Sequence, residues 1–265
     1  LLLRECRAQN VLVTDRRQGT GQSAVRLEVG PLVLDCVDEL RSTGLHKDPV
    51  IVLDFASMYP SIMIAHNLCF STLMTGDAKG RSFVAPVKYL SETGIFPTIC
   101  PTANKKGVIQ AKAYRFAQKP KGILPVILRD LIQRRGIVKS HLKNATDPRE
   151  RIIYDARQKA LKVCANAVYG FTGTSASKVF VPALAETVLM TGVSQLLRAA
   201  QLTNQHSKNT QVIYGDTDSL MVKCIGQTVY QASTTGNQLS EILSDKFPDP
   251  CKMKLESIFF PFLLQ

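Results

Sequence analysis

The chain has 265 residues, 45% hydrophobic and 20% charged, and 33 Lys+Arg against 21 Asp+Glu leave a formal net charge of +12. Those proportions fit a folded soluble protein of one large domain or two modest ones, and the positive surplus favours a polyanionic partner, nucleic acid ahead of an anionic membrane, over a merely basic surface. They exclude a membrane span, because no apolar stretch approaches ~18–20 residues, and a disulfide framework or zinc site, because the seven cysteines are odd in number and none are spaced C-x-x-C.

Reduced, partly buried thiols imply an intracellular setting. The start, "LLLRECRAQN", is too short and too soon charged for a signal peptide, and the end, "SIFFPFLLQ", is an apolar run that stops abruptly. Both ends read as cuts through a longer protein.

Along the chain, "TDRRQGTGQS" (14–23) reads as a polar loop and "DPVIVLDF" (48–55) as a buried strand after a turn signal. "MTGDAKGRS" (74–82) and "PTANKKG" (101–107) are loops. From Gly122, "ILPVILRDLIQRRGIVKSHLK" carries apolar residues at 124, 127, 128, 131, 132, 138 and 142, a helical spacing that Gly136 weakens slightly. In "TDPRE", Asp147 can cap a second helix, with Pro148 at its first position and Glu150 three after the cap. That helix is expected to stop near Tyr169 at "YGFTG", and the short link predicts an antiparallel helical hairpin. "PALAETVLMTGVSQLLRAAQL" (182–202) is a third helix, "TQVIYGDTDSLMVKCI" a β-hairpin, and Tyr230 with "QASTTGNQ" (231–238) a surface connection. The order predicts a mixed sheet with a protruding helical insertion.

Three segments carry chemistry. The strand ending in "VLDFASMYPSI" delivers Asp54, after which exposed backbone N–H groups could hold phosphate oxygens; alternatively Asp54 only caps the next element. In "KVCANAVYG", Lys162, Asn166 and Tyr169 share one helical face, and Arg135 and Lys139 share another. Facing each other across the hairpin, the three cations would clamp phosphates; alternatively the faces are simply solvated. The hairpin "VIYGDTDSLMV" sets Asp216 and Asp218 between apolar runs. Two close carboxylates repel. If they stand beside Asp54, Mg2+ would compensate the charge, and two such ions about 3.5–4 Å apart serve in-line phosphoryl transfer. The four histidines, His46, His66, His141 and His206, have no ligand spacing.

"DFASMYPSI", "KVCANAVYG" and "YGDTDS", in that order, resemble the palm and fingers motifs of family B DNA polymerases, and "GILPVILRDLIQRRGIVK" resembles the fingers helix of that family. "AHNLCFSTL" (65–73) is similar to delta-type and herpesvirus sequences. Ala56, "CNAVYGFTG" and "AETV" look most like herpesvirus enzymes. The resemblance implies an α+β fold: a palm with a mixed or antiparallel sheet backed by helices, plus a protruding antiparallel helical-hairpin fingers subdomain. It implies palm at 1–118, fingers at 119–172 and palm again at 173–265, with the exonuclease and thumb domains outside the chain.

By the same resemblance, Asp54 and Asp218 would be the main metal ligands for two Mg2+ ions, with Asp216 more peripheral. The backbone of Phe55, Ala56, Ser57 and Met58 would run beside the triphosphate, and Tyr59 would lie under the incoming sugar and exclude a 2′-hydroxyl. Arg135, Lys139 and Lys162 would hold the β- and γ-phosphates. Asn166, Tyr169 and Gly170 would form the nascent base-pair pocket, and Tyr214 and Gly215 would approach the primer end. The implied activity is template-directed addition of dNTPs to a primer 3′-hydroxyl on primer–template DNA, without a membrane and with a processivity factor bound elsewhere. The implied location is the host nucleus if the herpesvirus likeness holds. Met58, Gly136, Ala167 and Lys254 depart from the common pattern; Lys254 stands where an acidic residue is frequent. A silent nucleic-acid-binding scaffold and a two-metal nuclease are the alternatives.

Overall fold

The computed structural model describes residues 2–8, 33–34, 43–74, 82–84, 114–174, 177 and 179–264. The sequence-based loops at 14–23 and 101–107, the interior of the one at 74–82, and Cys36 and Cys100 lie outside the described residues. In chain order the described elements are α1 (Leu2–Ala8), β1 (Val33–Leu34), β2 (Gly44–His46), β3 (Val50–Phe55), α2 (Met58–Ala65), β4 (Leu73–Met74), β5 (Ser82–Val84) and β6 (Arg115–Ala117). There follow α3 (Ile123–Asn144), α4 (Pro148–Gly173), α5 (Pro182–His206), β7 (Thr210–Asp216), β8 (Ser219–Cys224), α6 (Val229–Ser244), β9 (Met253–Phe259) and β10 (Phe262–Leu264). The chain divides into two compact units, one of Leu1–Leu27, Tyr59–Ala85 and Ala113–Val188, the other of Glu28–Met58, Pro86–Lys112 and Leu189–Gln265.

The second unit is organised around a five-stranded sheet in the order β1-β7-β8-β3-β9, and every strand pairing among the described residues is antiparallel. The β-branched run of β3 places it at the centre of the buried part, paired to β8 on one side and β9 on the other. Ile51, Leu53 and Phe55 alternate with Val50, Val52 and Asp54, and of these six only Asp54 is not buried. The first set packs under α6. Gly236 of that helix lies so close that a Cβ there would stand 2.9 Å from Leu255 Cδ1 and 3.3 Å from Ile51 Cδ1. Phe55 meets Phe247 edge-on, with ring centroids 5.2 Å apart.

In the first unit, β6 pairs with β4 and β5, and the long helices α3 and α4 form an antiparallel hairpin joined by Ala145–Asp147. Asp147 caps α4 as expected, its carboxylate accepting from Arg149 N–H at 2.9 Å, with Pro148 at the start. Asn67, fully buried and at φ 52°, ties the base of the hairpin down. Its side-chain amide donates to the carbonyls of Ala117 at 2.8 Å and Pro120 at 2.9 Å, and its oxygen accepts from Gly122 N–H at 2.8 Å.

Three sequence-based expectations change. Gly170 does not end the second helix, which runs on to Gly173; a glycine inside a helix costs only about 1 kcal/mol, and the flanking residues continue the hairpin. The stretch of exposed N–H groups expected after Asp54 narrows to a turn at Ala56–Ser57, and a helix begins at Met58. The "surface connection" at 230–238 is the body of α6, opened by a reciprocal capping box between Thr228 and Gln231. Ala232, Gly236, Leu239 and Leu243 recur at i, i+4, i+7 and i+11 and are buried, but the polar residues between them hide the stripe. The five described cysteines form no disulfide; all but Cys164 are buried. Among the described residues no helix is long and apolar enough to cross a membrane.

Candidate active site

Strand register assembles the acidic group, which lies wholly in the second unit. Asp54 is paired to Ser219 on β8 and to Lys254 on β9, and Ser219 is in turn paired to Asp216 on β7. Directly opposed residues share a face of a sheet, so Asp216, Ser219, Asp54 and Lys254 form one row at the end of the sheet. Strands lie about 4.8 Å apart, which puts Asp216 about 10 Å from Asp54 along this row. Asp218 is nearer, because it sits in the two-residue hairpin turn and its carbonyl accepts Phe55 N–H at 2.9 Å. Thr217 between the two aspartates stands at φ 53° and Ser57 beside Asp54 at φ 52°. A left-handed backbone is costly for a β-branched residue such as Thr217, and strain of this kind concentrates at functional sites.

Asp216 is exposed and accepts from its neighbour's hydroxyl, Thr217 Oγ1, at 2.8 Å. Among the described residues no three His, Cys, Asp or Glu side chains gather into a metal-holding group. By backbone position Asp54 lies beside the Asp218 turn, and Asp216 stands one strand further off. Carboxylate and backbone oxygens at a strand end suit a hard cation such as Mg2+, so the donor types present fit that ion, and Asp54 and Asp218 are the residues that could hold it.

The backbone beside them is more committed than the sequence implied. Phe55 N–H goes to Asp218 and Ala56 N–H donates to Lys252 O at 2.9 Å, so neither amide is available to a phosphate. Met58, at the first position of α2, has no intrahelical acceptor for its own amide. Of the expected primer-side residues, Tyr214 is half-buried opposite Met221, beside a register shift, and Gly215 is buried between Leu34 and Leu220.

The basic and aromatic group lies in the first unit. The rings of Tyr59 and Tyr169 are in contact, with centroids 4.4 Å apart and planes tilted by 36°. Burial, with Tyr59 as neighbour, pushes the Tyr169 phenol well above its ordinary value. Lys162 and Asn166 are exposed on the same stripe of α4, and Gly170 has open space where a Cβ would be. Arg135 reaches this stripe across the hairpin, its Nε donating to Gln158 Oε1 at 3.3 Å. Lys139 lies one turn further along α3, toward the stacked rings of His141 and Tyr154. Since α4 runs the opposite way, that level is two turns, about 12 Å, from Lys162. By backbone position the three cations are spaced as a ladder along the hairpin.

The chain belongs to DNA polymerase family B, whose model matches residues 1–265. Among curated proteins it is similar to DNA polymerase delta catalytic subunits. That of Schizosaccharomyces pombe is 36% identical over 232 residues, 83% of this chain and 20% of the relative. That of Arabidopsis thaliana is 35% identical over 271 residues, 99% and 23%, and that of Mesocricetus auratus 33% over 255 residues, 94% and 22%. The chain thus spans about a fifth to a quarter of the length of the relatives it matches. These relatives are eukaryotic delta subunits and give the herpesvirus likeness no support. That likeness rested on a few short choices around Ala56, Cys164 and Ala185, which weigh less than identity along the chain.

One residue of interest, Gln158, escaped the sequence, and so did the placing of another, Lys254. Nothing local could reveal that Lys254 is registered against Asp54, because only β9 pairing brings them level. Gln158 stands four residues before Lys162 on the same stripe, a spacing visible in the sequence, but its role depends on the partner across the hairpin.

Proposed function

We propose that the chain is the nucleotide-adding core of a DNA-directed DNA polymerase, of the delta type named in its relatives, joining dNTPs to a primer 3′-hydroxyl under template direction. The observation that carries the reading is the register of β3 against the catalytic hairpin, which sets Asp54 beside the Asp218 turn in a chain that matches family B throughout. The five-stranded sheet takes the part of the palm, and α3 and α4 the part of the fingers.

When bound at Asp54 and Asp218, Mg2+ supplies Lewis-acid activation of an attacking oxygen and charge stabilisation of a leaving one. The chain's own residues do the rest. Asp54 and Asp218 hold negative charge at fixed positions, and Asp216 adds to the field from the rim. Tyr59, braced by Tyr169, presents a flat wall to the sugar, which a 2′-hydroxyl would strike. Lys162 and Arg135 take phosphate oxygens, with Lys139 further along the ladder. Asn166 and Gly170 leave room for a base pair, and Tyr214 and Gly215 stand on the primer side. The reaction needs no covalent intermediate; positioning and electrostatics carry the rate.

Primer–template DNA and dNTPs are the substrates under this reading, accessory and processivity factors act through other parts of the longer protein, and the setting is intracellular. The host nucleus, which hung on the herpesvirus likeness, loses that ground. Primer extension with the Asp218→Asn variant tests the proposal. Loss of dNTP incorporation with DNA binding retained supports it; incorporation at the wild-type rate overturns it. Shortening of the primer without dNTPs would mark a nuclease instead.

A further inference from the structure

Arg135 is held by a neutral group. Its Nε donates to Gln158 Oε1 at 3.3 Å, Gln158 Nε2 donates to Asp155 Oδ1 at 3.0 Å, and Asp155 Oδ2 pairs with Lys159 Nζ at 2.7 Å. The spacings Asp155, Gln158 and Lys159 at i, i+3 and i+4 put all three on adjoining turns of α4. The guanidinium has five donors in a rigid fork, and among the described residues only the Nε edge is engaged. Burial lowers the Arg135 pKa from its ordinary value.

We propose that Gln158 is a positioning residue for anion binding by Arg135: it fixes the Nε edge of the guanidinium and turns the two terminal amino groups toward a phosphate oxygen of the incoming nucleoside triphosphate. The inference rests on the proposed role of Arg135 as a phosphate ligand. An acidic residue in place of Gln158 would hold the guanidinium as firmly but cancel its charge; the amide holds it and leaves the charge to the ligand. Asp155 decides which way the amide points. Flipped, Gln158 would set its NH2 against the guanidinium and its oxygen against a carboxylate, two repulsive contacts in place of two hydrogen bonds. Lys159 satisfies the other carboxylate oxygen, so the negative charge of Asp155 is balanced locally rather than spent on Arg135.

The test is steady-state primer extension by the full protein that carries this chain, with dNTP varied, comparing Arg135→Ala, Gln158→Met, Gln158→Glu and the Arg135→Ala/Gln158→Met double variant. Methionine keeps the length and helix propensity of glutamine, so α4 is retained, which thermal unfolding of each variant verifies. Loss of one orienting hydrogen bond gives a KM for dNTP raised about three- to tenfold in Gln158→Met with kcat within about twofold. Gln158→Glu raises KM at least as far, because the hydrogen bond survives while the charge is cancelled. The double variant is no worse than Arg135→Ala alone. An unchanged KM in Gln158→Met, a fall in kcat alone, or additive effects in the double variant would overturn the role of Gln158 while leaving Arg135 in place. An unchanged KM in Arg135→Ala would overturn both.

Discussion

The acidic end of the sheet and the basic stripe of the hairpin place their charges by opposite means. At the sheet end, Asp54, Lys254 and the Asp216–Asp218 turn are far apart in the chain and are brought level only by strand register, with Ser57 and Thr217 held in left-handed backbone. On the hairpin, Gln158, Lys162, Asn166 and Tyr169 are neighbours by helical period, and Lys162 and Asn166 are exposed. A sheet fixes positions tightly and fails abruptly, since a shift of one residue turns every side chain to the other face. A helix surface tolerates change one residue at a time. Under the proposed function the carboxylates that would hold metal need the first kind of support, and the cations that would attract a triphosphate tolerate the second.

The largest expected effect divides the two regions directly. Asp54→Asn should lower nucleotide addition about 10³-fold or more, whereas Lys139→Ala, at the far rung of the ladder, should cost about fivefold or less; single-turnover primer extension measures both. Equal losses would erase the contrast. Next comes the anchor of the hairpin. Asn67→Ala strands the carbonyls of Ala117 and Pro120 and the Gly122 amide at a buried site, and should destabilise the first unit by about 3 kcal/mol in chemical denaturation.

A similar magnitude, but only at low pH, belongs to His66. Burial pushes its pKa down to about 4 from an ordinary 6.5. Between those values the unfolded chain takes up a proton that the folded one refuses. Stability should therefore fall as pH drops from about 7 to about 4, by up to about 3 kcal/mol, and level off below. Denaturation midpoints of wild type and His66→Phe across that range check the sign: the variant should lose the slope. The smallest effect is a gain. At Gly136, inside α3, a Cβ would meet nothing within 4 Å, so Gly136→Ala should stabilise the hairpin by about 1 kcal/mol, visible as a raised Tm with kcat unchanged.

The same division governs what could be read from the sequence. The hairpin announced itself: apolar spacing from Leu124 to Leu142, then Asp147–Pro148 to restart the helix, gave its elements to within a few residues. Strand β3 and the hairpin around Asp216 and Asp218 were equally visible, each an apolar run with an incongruous acid. Pairing was not visible. That Asp54 faces Lys254, that Phe55 and Ala56 give their amides to other strands, and that Asp216 stands off to one side are all consequences of register, which no local pattern encodes. Helix α6 was missed because serine, threonine, asparagine and glycine favour turns on their own, and only the sheet beneath supplies the reason to be helical.

One irregularity in β9 bears on how such a strand can change length. Between its pairings to Leu53 and Val52 the strand advances from Leu255 to Ser257, so Glu256 is a supernumerary residue opposite no one. Removing Glu256 would leave Lys254 level with Asp54 and Ile258 level with Ile51, both flanks still in phase. Removing a residue from within either flank would invert the segment beyond it. Strand β9 therefore has an expansion joint, and it sits two residues from the position that faces Asp54.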